Sequence, residues 1–349
     1  MTVSDRLAER ILRDGPIPVS EFMAEAVGAY YGDRDPFGAA GDFTTAPEIS
    51  QMFGEILGLW CAVAWQSLGA PPRFVLAELG PGRGTLMADM LRAAATLPPF
   101  TAAAEVWLVE TSPALRARQR ETLSDRSVQW AERFEDLPDG PLVLVANELF
   151  DALPIRQFEK RDGRWHERLV DRTPHGFEFA LGPEAVPDLP PHVLDAPDGA
   201  VAETCPQGRA LAAAIGRRLA RAPGAALIVD YGHARSAAGD TLQAVKRHKF
   251  HPVLQAPGTA DITAHVDFEA LAAAAIPARA WGPVAQGDFL RGLGIDTRAA
   301  MLASAGGPKV EAEVMGQLRR LIDPGEMGTL FKVLALAHPA LPPPPGLAV

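Results

Sequence analysis

From Phe74 onward the chain carries short, uninterrupted apolar runs separated by stretches of helical periodicity: FVLAEL (74–79), EVWLVE (105–110), SVQWAE (127–132), PLVLVANE (141–148) and AALIVDYG (225–232). A strand that is apolar on both sides must be covered on both sides, which is the situation of a parallel sheet with helices above and below. The pattern therefore predicts a doubly wound α/β domain. Two late runs, ARAWGPVAQ (278–286) and TLFKVLALAH (329–338), read as further strands with a helical stretch between them.

Residues 1–70 read as a helical cap. Its first segment is amphipathic through Leu7, Ile11 and Leu12. In a later, longer helix Ile49, Met52, Phe53, Ile56, Trp60, Val63 and Ala64 recur at three- and four-residue steps, which predicts one buried face. Residues 71–155 form the first half of the core. Residues 156–204 read as a β-hairpin insertion punctuated by Asp162-Gly163 and His175-Gly176. Residues 205–235 hold a helix and the fifth strand, 236–276 a second insertion, 277–338 the last core strands, and 339–349 a tail that reads as disordered.

The 349 residues include 33 Lys and Arg against 43 Asp and Glu, a formal net charge of −10, which disfavours a lysine- and arginine-driven grip on nucleic acid or anionic lipid. No run of about 18 apolar residues suggests a membrane span. The acid-containing N-terminus resembles neither a secretory signal nor a transit peptide, so a cytoplasmic location is expected. The two cysteines, Cys61 and Cys205, form no C-x-x-C pair. His248, His251, Asp261 and His265 match no metal-ligand pattern, and no metal site is expected.

The loop Glu78-Leu79-Gly80-Pro81-Gly82-Arg83-Gly84-Thr85 follows a strand and opens a helix, so its glycines let the backbone turn sharply and approach a ligand closely. Its spacing is G-x-G-x-G rather than the G-x-G-x-x-G of a nicotinamide site. Glu78 suits the ammonium of an amino-acid-bearing cofactor such as S-adenosylmethionine and would repel a pyrophosphate. Glu110 ends the second strand, where an acid accepts hydrogen bonds from ribose hydroxyls. Phe134 and Glu135, past the third strand, are candidate adenine neighbours. Asp42, Phe43 and Thr44 form a candidate lid over the cofactor, whereas Thr45 and Glu48 have the spacing of a capping box.

The fourth strand ends in Asn147-Glu148-Leu149-Phe150-Asp151. Ligands of open α/β sheets sit outside the carboxyl ends of the strands, so Asn147, Glu148 and Asp151 are the catalytic candidates. Two carboxylates three residues apart can hold a guanidinium through charge-assisted hydrogen bonds; alternatively Asp151 caps a following helix.

Taken together, GDFTTAPEISQMFGEILGLW (41–60), ELGPGRGTLMADML (78–91), ANELFDALPIRQF (146–158), LIVDYG (227–232), DTLQAV (240–245), DITAHVDF (261–268) and QGDFLRGLGI (286–295) resemble the MidA-like class I methyltransferases. This family includes the mitochondrial protein arginine methyltransferase that assembles respiratory complex I. The resemblance implies a seven-stranded Rossmann-like sheet with an antiparallel final strand, S-adenosyl-L-methionine as cofactor, and a protein substrate. It points to arginine methylation of the quinone-side catalytic subunit of complex I. By position it implies cofactor binding by Gly80, Gly82, Gly84 and Glu110, with Asn147 to Asp151 flanking the acceptor. Other readings are a non-catalytic complex I assembly chaperone on the same fold and, less favoured by the glycine spacing, a nicotinamide oxidoreductase. Neither nucleic acid nor membrane insertion is expected, and the oligomeric state, homodimer included, stays open.

Overall fold

The structure, a computed structural model, describes residues 1–32 and 45–347. Seven strands form the central sheet: β1 (Phe74–Leu79), β2 (Ala104–Val109), β3 (Val128–Ala131), β4 (Leu142–Asn147), β5 (Gly224–His233), β6 (Arg279–Ala285) and β7 (Phe331–Ala337). Their order is β6-β7-β5-β4-β1-β2-β3, and β7 alone runs antiparallel to its neighbours. Every residue of β1 and β4 is buried, as their unbroken apolar character requires. Parallel pairing aligns Leu79 with Val109 and Ala146, and Asn147 with Val229, so the loops after β1, β2, β4 and β5 emerge along one rim.

The helices include α1 (Val3–Asp14), α2 (Val19–Gly32), α3 (Gln51–Ser67), α4 (Thr85–Ala94), α5 (Pro113–Thr122) and α6 (Pro206–Arg221). α3 and α4 share one core with one side of the sheet, and α6 shares a second core with the other. α1 begins with a capping box between Thr2 and Asp5 and buries Leu7 and Ile11, but Leu12 faces solvent at 73% exposure, so the apolar stripe is narrower than the sequence pattern suggests.

α3 also departs from its predicted single buried face. It is enclosed on nearly every side, and Leu59 and Val63 are the large apolar residues it leaves exposed. The reason is close helix packing: a Cβ on Gly54 would stand 2.5 Å from Asp89 Cβ, and one on Gly58 would stand 2.6 Å from the Met90 carbonyl oxygen. On another side Glu55 receives bidentate hydrogen bonds from Arg298 at 2.6 and 2.9 Å. Ile49 belongs to a separate helical turn, Ala46–Ile49, and Ser50 caps α3 by accepting the Met52 N–H. The Thr45–Glu48 capping box does not form: Thr45 makes no side-chain cap bond, and Glu48 instead accepts the Thr85 hydroxyl at 2.6 Å.

The first insertion is larger than a hairpin. Strands Arg156–Arg161, Arg164–Thr173 and Gly176–Glu184 join Val201–Thr204 and the N-terminal Ile17–Pro18 in a five-stranded sheet. Asp162 and Gly163 both take left-handed conformations, as a tight hairpin turn demands. The second insertion contributes a three-stranded sheet of Gln243–Lys246, Lys249–His251 and Asp261–Thr263. Leu7, Phe22 and Met23 of the cap, Val170 of the first insertion, and Ala244 and Ile262 of the second share one apolar core, so these three pieces pack as a unit. The tail is not disordered over its described part: Leu347 is 1% exposed and joins the main core.

α6 lies so close to the end of the following helix, Phe268–Ala274, that a Cβ on Gly216 would stand 1.8 Å from the Ala275 carbonyl oxygen. Both partners are backbone, so the clash cannot relax through a side chain. Gly216→Ala is expected to cost about 1–3 kcal/mol, read as a lower midpoint of urea unfolding.

Candidate active site

A cavity of about 690 Å³ opens at the rim where β1, β2, β4 and β5 end. Its walls are the glycine loop, the segment after β2 (Glu110 to Pro113), the segment after β4 (Asn147 to Leu153), the end of α2 at Tyr31 and Gly32, and one face of the small sheet. Cap, core and second insertion thus enclose one space.

At one end of this space the loop after β1 turns through Gly80 (φ 62°), Gly82 (φ 51°) and Gly84 (φ 82°), all left-handed, and Gly84 is the N-cap of α4. Side chains there would be strained, which is why glycine recurs at alternate positions. The Gln119 side-chain amide of α5 holds the loop by donating to the Gly82 carbonyl at 2.7 Å, and its other end accepts from Trp130 Nε1 at 2.8 Å. Gln119 also donates to Glu110 Oε2 at 3.3 Å, while Glu110 Oε1 accepts the Ser112 N–H at 2.8 Å. Burial raises the Glu110 pKa against these hydrogen bonds. Glu78 is 2% exposed, its Oε2 has no hydrogen-bond donor, and burial pushes its pKa up to about 8.

Beside the glycine loop, where a Cβ on Gly80 would stand 2.9 Å from Leu149 Cδ1, the chain after β4 makes a tight, polar turn. Glu148 adopts a left-handed conformation (φ 49°) that a non-glycine residue enters only when its surroundings require it. Its N–H donates to the Val229 carbonyl at 2.9 Å, and its Oε1 accepts from the Ala46 N–H at 2.9 Å and Asn147 Nδ2 at 3.2 Å. Burial, with the negative charges of Asp151 and Asp261 nearby, pushes Glu148 up to about 8. Asp151 lies within a single 3-10 turn, Phe150–Ala152, and caps no helix. Burial raises its pKa, and a hydrogen bond with the Tyr231 hydroxyl opposes the rise; Tyr231 is also bonded to Thr263. Beneath the turn, the fully buried Asp230 accepts the N–H groups of Leu149, Phe150 and Asp151 on Oδ2 at 3.2, 2.9 and 3.2 Å, and that of Tyr231 on Oδ1 at 2.9 Å. Tyr31 donates its hydroxyl to Asp261 Oδ1 at 2.9 Å.

Of the candidate residues, the structure brings Glu78, Gly80, Gly82, Glu110, Asn147, Glu148 and Asp151 to the cavity wall, with Gly84 directly behind the loop as the cap of α4. It does not bring Phe134 or Glu135 there. The Phe134 ring is packed into the core on the α6 side, with the Arg218 guanidinium 5.7 Å from its centre, and Glu135 faces solvent. The cavity wall next to Glu110 consists of Thr111, Ser112, Pro113 and Leu115. Asp42, Phe43 and Thr44 lie outside the described residues. Tyr31, Asp230, Tyr231, Asp261 and Thr263 were missed. The position of Asp230-Tyr231 at the end of a core strand was a usable signal, whereas Tyr31 and Thr263 reach the site only through tertiary packing. Among the described residues no group of three or more His, Cys, Asp or Glu is arranged to hold a metal ion, and no helix is long and apolar enough to cross a membrane.

The strand order, with its single antiparallel strand, and the glycine loop at the sheet's carboxyl rim define a class I methyltransferase fold. Residues 56–284 match the model of Methyltransf_28, and the chain belongs to this family of S-adenosyl-L-methionine-dependent methyltransferases. It is 37% identical over 372 residues to the mitochondrial protein arginine methyltransferase NDUFAF7 of Danio rerio, covering 97% of this chain and 87% of that protein. The corresponding Homo sapiens protein is 36% identical over 363 residues, covering 95% and 82%. Among solved structures, a COG1565 superfamily member from Burkholderia thailandensis bound to S-adenosyl-homocysteine superposes with a TM-score of 0.85 at 32% identity, covering 99% of this chain and 92% of that one. The cofactor is S-adenosyl-L-methionine. The cavity suits it: the unpartnered Glu78 oxygen is a buried acceptor beside a loop of left-handed glycines.

Glu78 and Glu148 both hold protons in the folded protein well above the usual carboxyl range. Between about pH 4.5 and about pH 8 the unfolded chain has released protons that the native state keeps, so stability falls as pH rises through that window and levels off above it. The Tm of the ligand-free protein should therefore drop from about pH 5.5 to about pH 8, and the drop should be smaller in Glu148→Gln, which lacks one of the raised carboxyl groups.

Proposed function

We propose that the chain methylates an arginine side chain of a protein substrate, a subunit of respiratory complex I on its quinone side. The observation that carries this reading is the set of buried atoms left without donors. Apart from Glu78 Oε2, which meets the cofactor's ammonium, two of them line the cavity, Asn147 Oδ1 and Asp151 Oδ1, and both are acceptors. Among the described residues Glu148, Asp151 and Asp230 enter no ion pair. Buried acceptors concentrated in this way are costly unless a multivalent cationic donor meets them, and a guanidinium offers five N–H groups in a planar fork. The relatives named as protein arginine methyltransferases, similar over nearly the whole chain, support the same acceptor.

In this reading Glu78 takes the cofactor's ammonium, Glu110 accepts its ribose hydroxyls, and Gly80, Gly82 and Gly84 give the backbone its close approach. The cofactor supplies an electrophilic methyl group on its sulfonium. Glu148 holds the guanidinium and Asn147 Oδ1 accepts one of its N–H groups. A guanidinium stays protonated at any working pH, so the nitrogen must shed a proton as it is alkylated. Asp151 takes that proton on Oδ1, its position fixed by Tyr231 and by the Asp230-bound turn. Approach of the cation also draws Glu148 into its charged form, since a nearby positive charge favours the carboxylate.

Transfer of labelled methyl from S-adenosylmethionine to the recombinant complex I subunit, followed by mapping of methylarginine, tests the proposal. Glu148→Gln should bind cofactor normally and lower transfer by about 10²-fold or more; unchanged turnover removes Glu148 from the mechanism. Gly82→Val should abolish cofactor binding in calorimetric titration, because φ 51° strains any β-branched residue and the side chain obstructs the approach. A wild-type protein that binds both cofactor and subunit without transferring methyl is a scaffold rather than an enzyme.

A further inference from the structure

One face of the three-stranded sheet in the second insertion forms a continuous wall of the cavity. The register places Gln243 opposite Thr263, and Val245 opposite both Asp261 and Phe250, so these five side chains share a face. All five line the cavity. The wall is graded. Thr263 and Asp261 stand at the reacting end, beside Tyr231 and Tyr31. Val245 follows, and Phe250, 84% exposed, stands at the rim.

The exposure of Phe250 is not a failure of the hairpin to find a core, because Ala244 on the reverse face is 1% exposed within the core of the cap. A large aromatic left in water at a cavity mouth, on a strand whose other face is buried, is the arrangement of an interaction anchor. The hairpin tip has two further unfavourable features. Arg247 and His248 both adopt left-handed conformations that non-glycine residues disfavour. Lys246 and Lys249 stand directly opposite each other across the strand pair, where like charges repel. Lys246 donates to Thr259 Oγ1 at 2.9 Å, while Lys249 is exposed. By the same alternation Lys246 and Lys249 share the reverse face with Ala244, so at this end of the hairpin the cavity-lining face carries Val245 and Phe250 alone.

We propose that this sheet face is the docking wall for the acceptor protein: a segment flanking the methylated residue lies along it, with an apolar side chain on Phe250 and Val245. The proposal rests on the arginine-acceptor reading above and adds to it which residues surround the target. The cavity's carboxyl groups would repel an acidic residue near the guanidinium, so the part of the segment next to the target is apolar or neutral.

The test uses the full chain loaded with S-adenosylhomocysteine and the fluorescently labelled complex I subunit, with binding read by anisotropy and methyl transfer read separately with S-adenosylmethionine. Phe250→Ala should weaken subunit binding about tenfold or more while leaving S-adenosylhomocysteine affinity unchanged. Equal binding by wild type and Phe250→Ala, or no binding by wild type, overturns the docking wall. Phe250-dependent binding without transfer overturns the arginine reaction and leaves the docking wall standing. Transfer that is indifferent to Phe250 does the reverse. Phe250-dependent capture on vesicles of anionic phospholipid, with no effect on the subunit, would assign the tip to a membrane surface and also overturn the proposal.

Discussion

Asp230 is buried without access to water, and its carboxyl group collects four main-chain N–H groups, three of them from consecutive residues of the turn after β4. The acceptor half of the cavity depends on this one arrangement. The turn cannot relax into ordinary geometry while its N–H groups converge on a single oxygen, so Glu148 is held in a left-handed conformation and Asp151 is aimed at Tyr231. Each carboxyl group nearby makes the others harder to ionise: burial first, then Asp151 and Glu148, raise Asp230, while the backbone hydrogen bonds oppose the rise. The turn is therefore held by a group whose own charge is costly, and a cation arriving in the cavity lowers that cost for all of them.

The same logic connects the cap to the chemistry. Ala46 donates its N–H to Glu148, and Tyr31 donates its hydroxyl to Asp261, so both described segments of the cap supply hydrogen bonds to acids of the site. The cap, in turn, shares its apolar core with both insertions. Packing of α1 and α2 against the insertion sheets and the placement of the acceptor groups are thus one cooperative structure: a change that loosens the shared core also shifts donors away from buried acceptors, which cost free energy when left unpaired.

Much of the sheet was legible in the chain because strands covered on both faces must be apolar throughout, and β1, β4 and β5 meet that condition plainly. The glycine loop was legible because alternate left-handed positions admit little else. Legibility failed where a residue had two plausible destinations. Phe134 follows a core strand, as an adenine neighbour would, but its ring gains more from the core beside α6 and the Arg218 guanidinium. Thr45 and Glu48 have capping-box spacing, yet Glu48 is drawn to the Thr85 hydroxyl, with Arg83 3.6 Å away. The proline-rich tail has the composition of a disordered segment, but Leu347 joins the main core near Gly282, and the Gly346 backbone packs against Phe289.

Local pattern by itself determined the strands, the glycine turn and the acids at the strand ends, because each follows from burial or backbone sterics acting over a few neighbouring residues. What only the tertiary structure decided is which polar groups meet. Tyr31 and Asp261 are 230 positions apart in the chain, and Asp230 lies about 80 positions from the turn it organises. Phe250 stands at the cavity rim because the register of a small sheet turned its face that way. Such meetings are set by how separately folded pieces share their apolar cores, a long-range term that no local pattern of residues encodes.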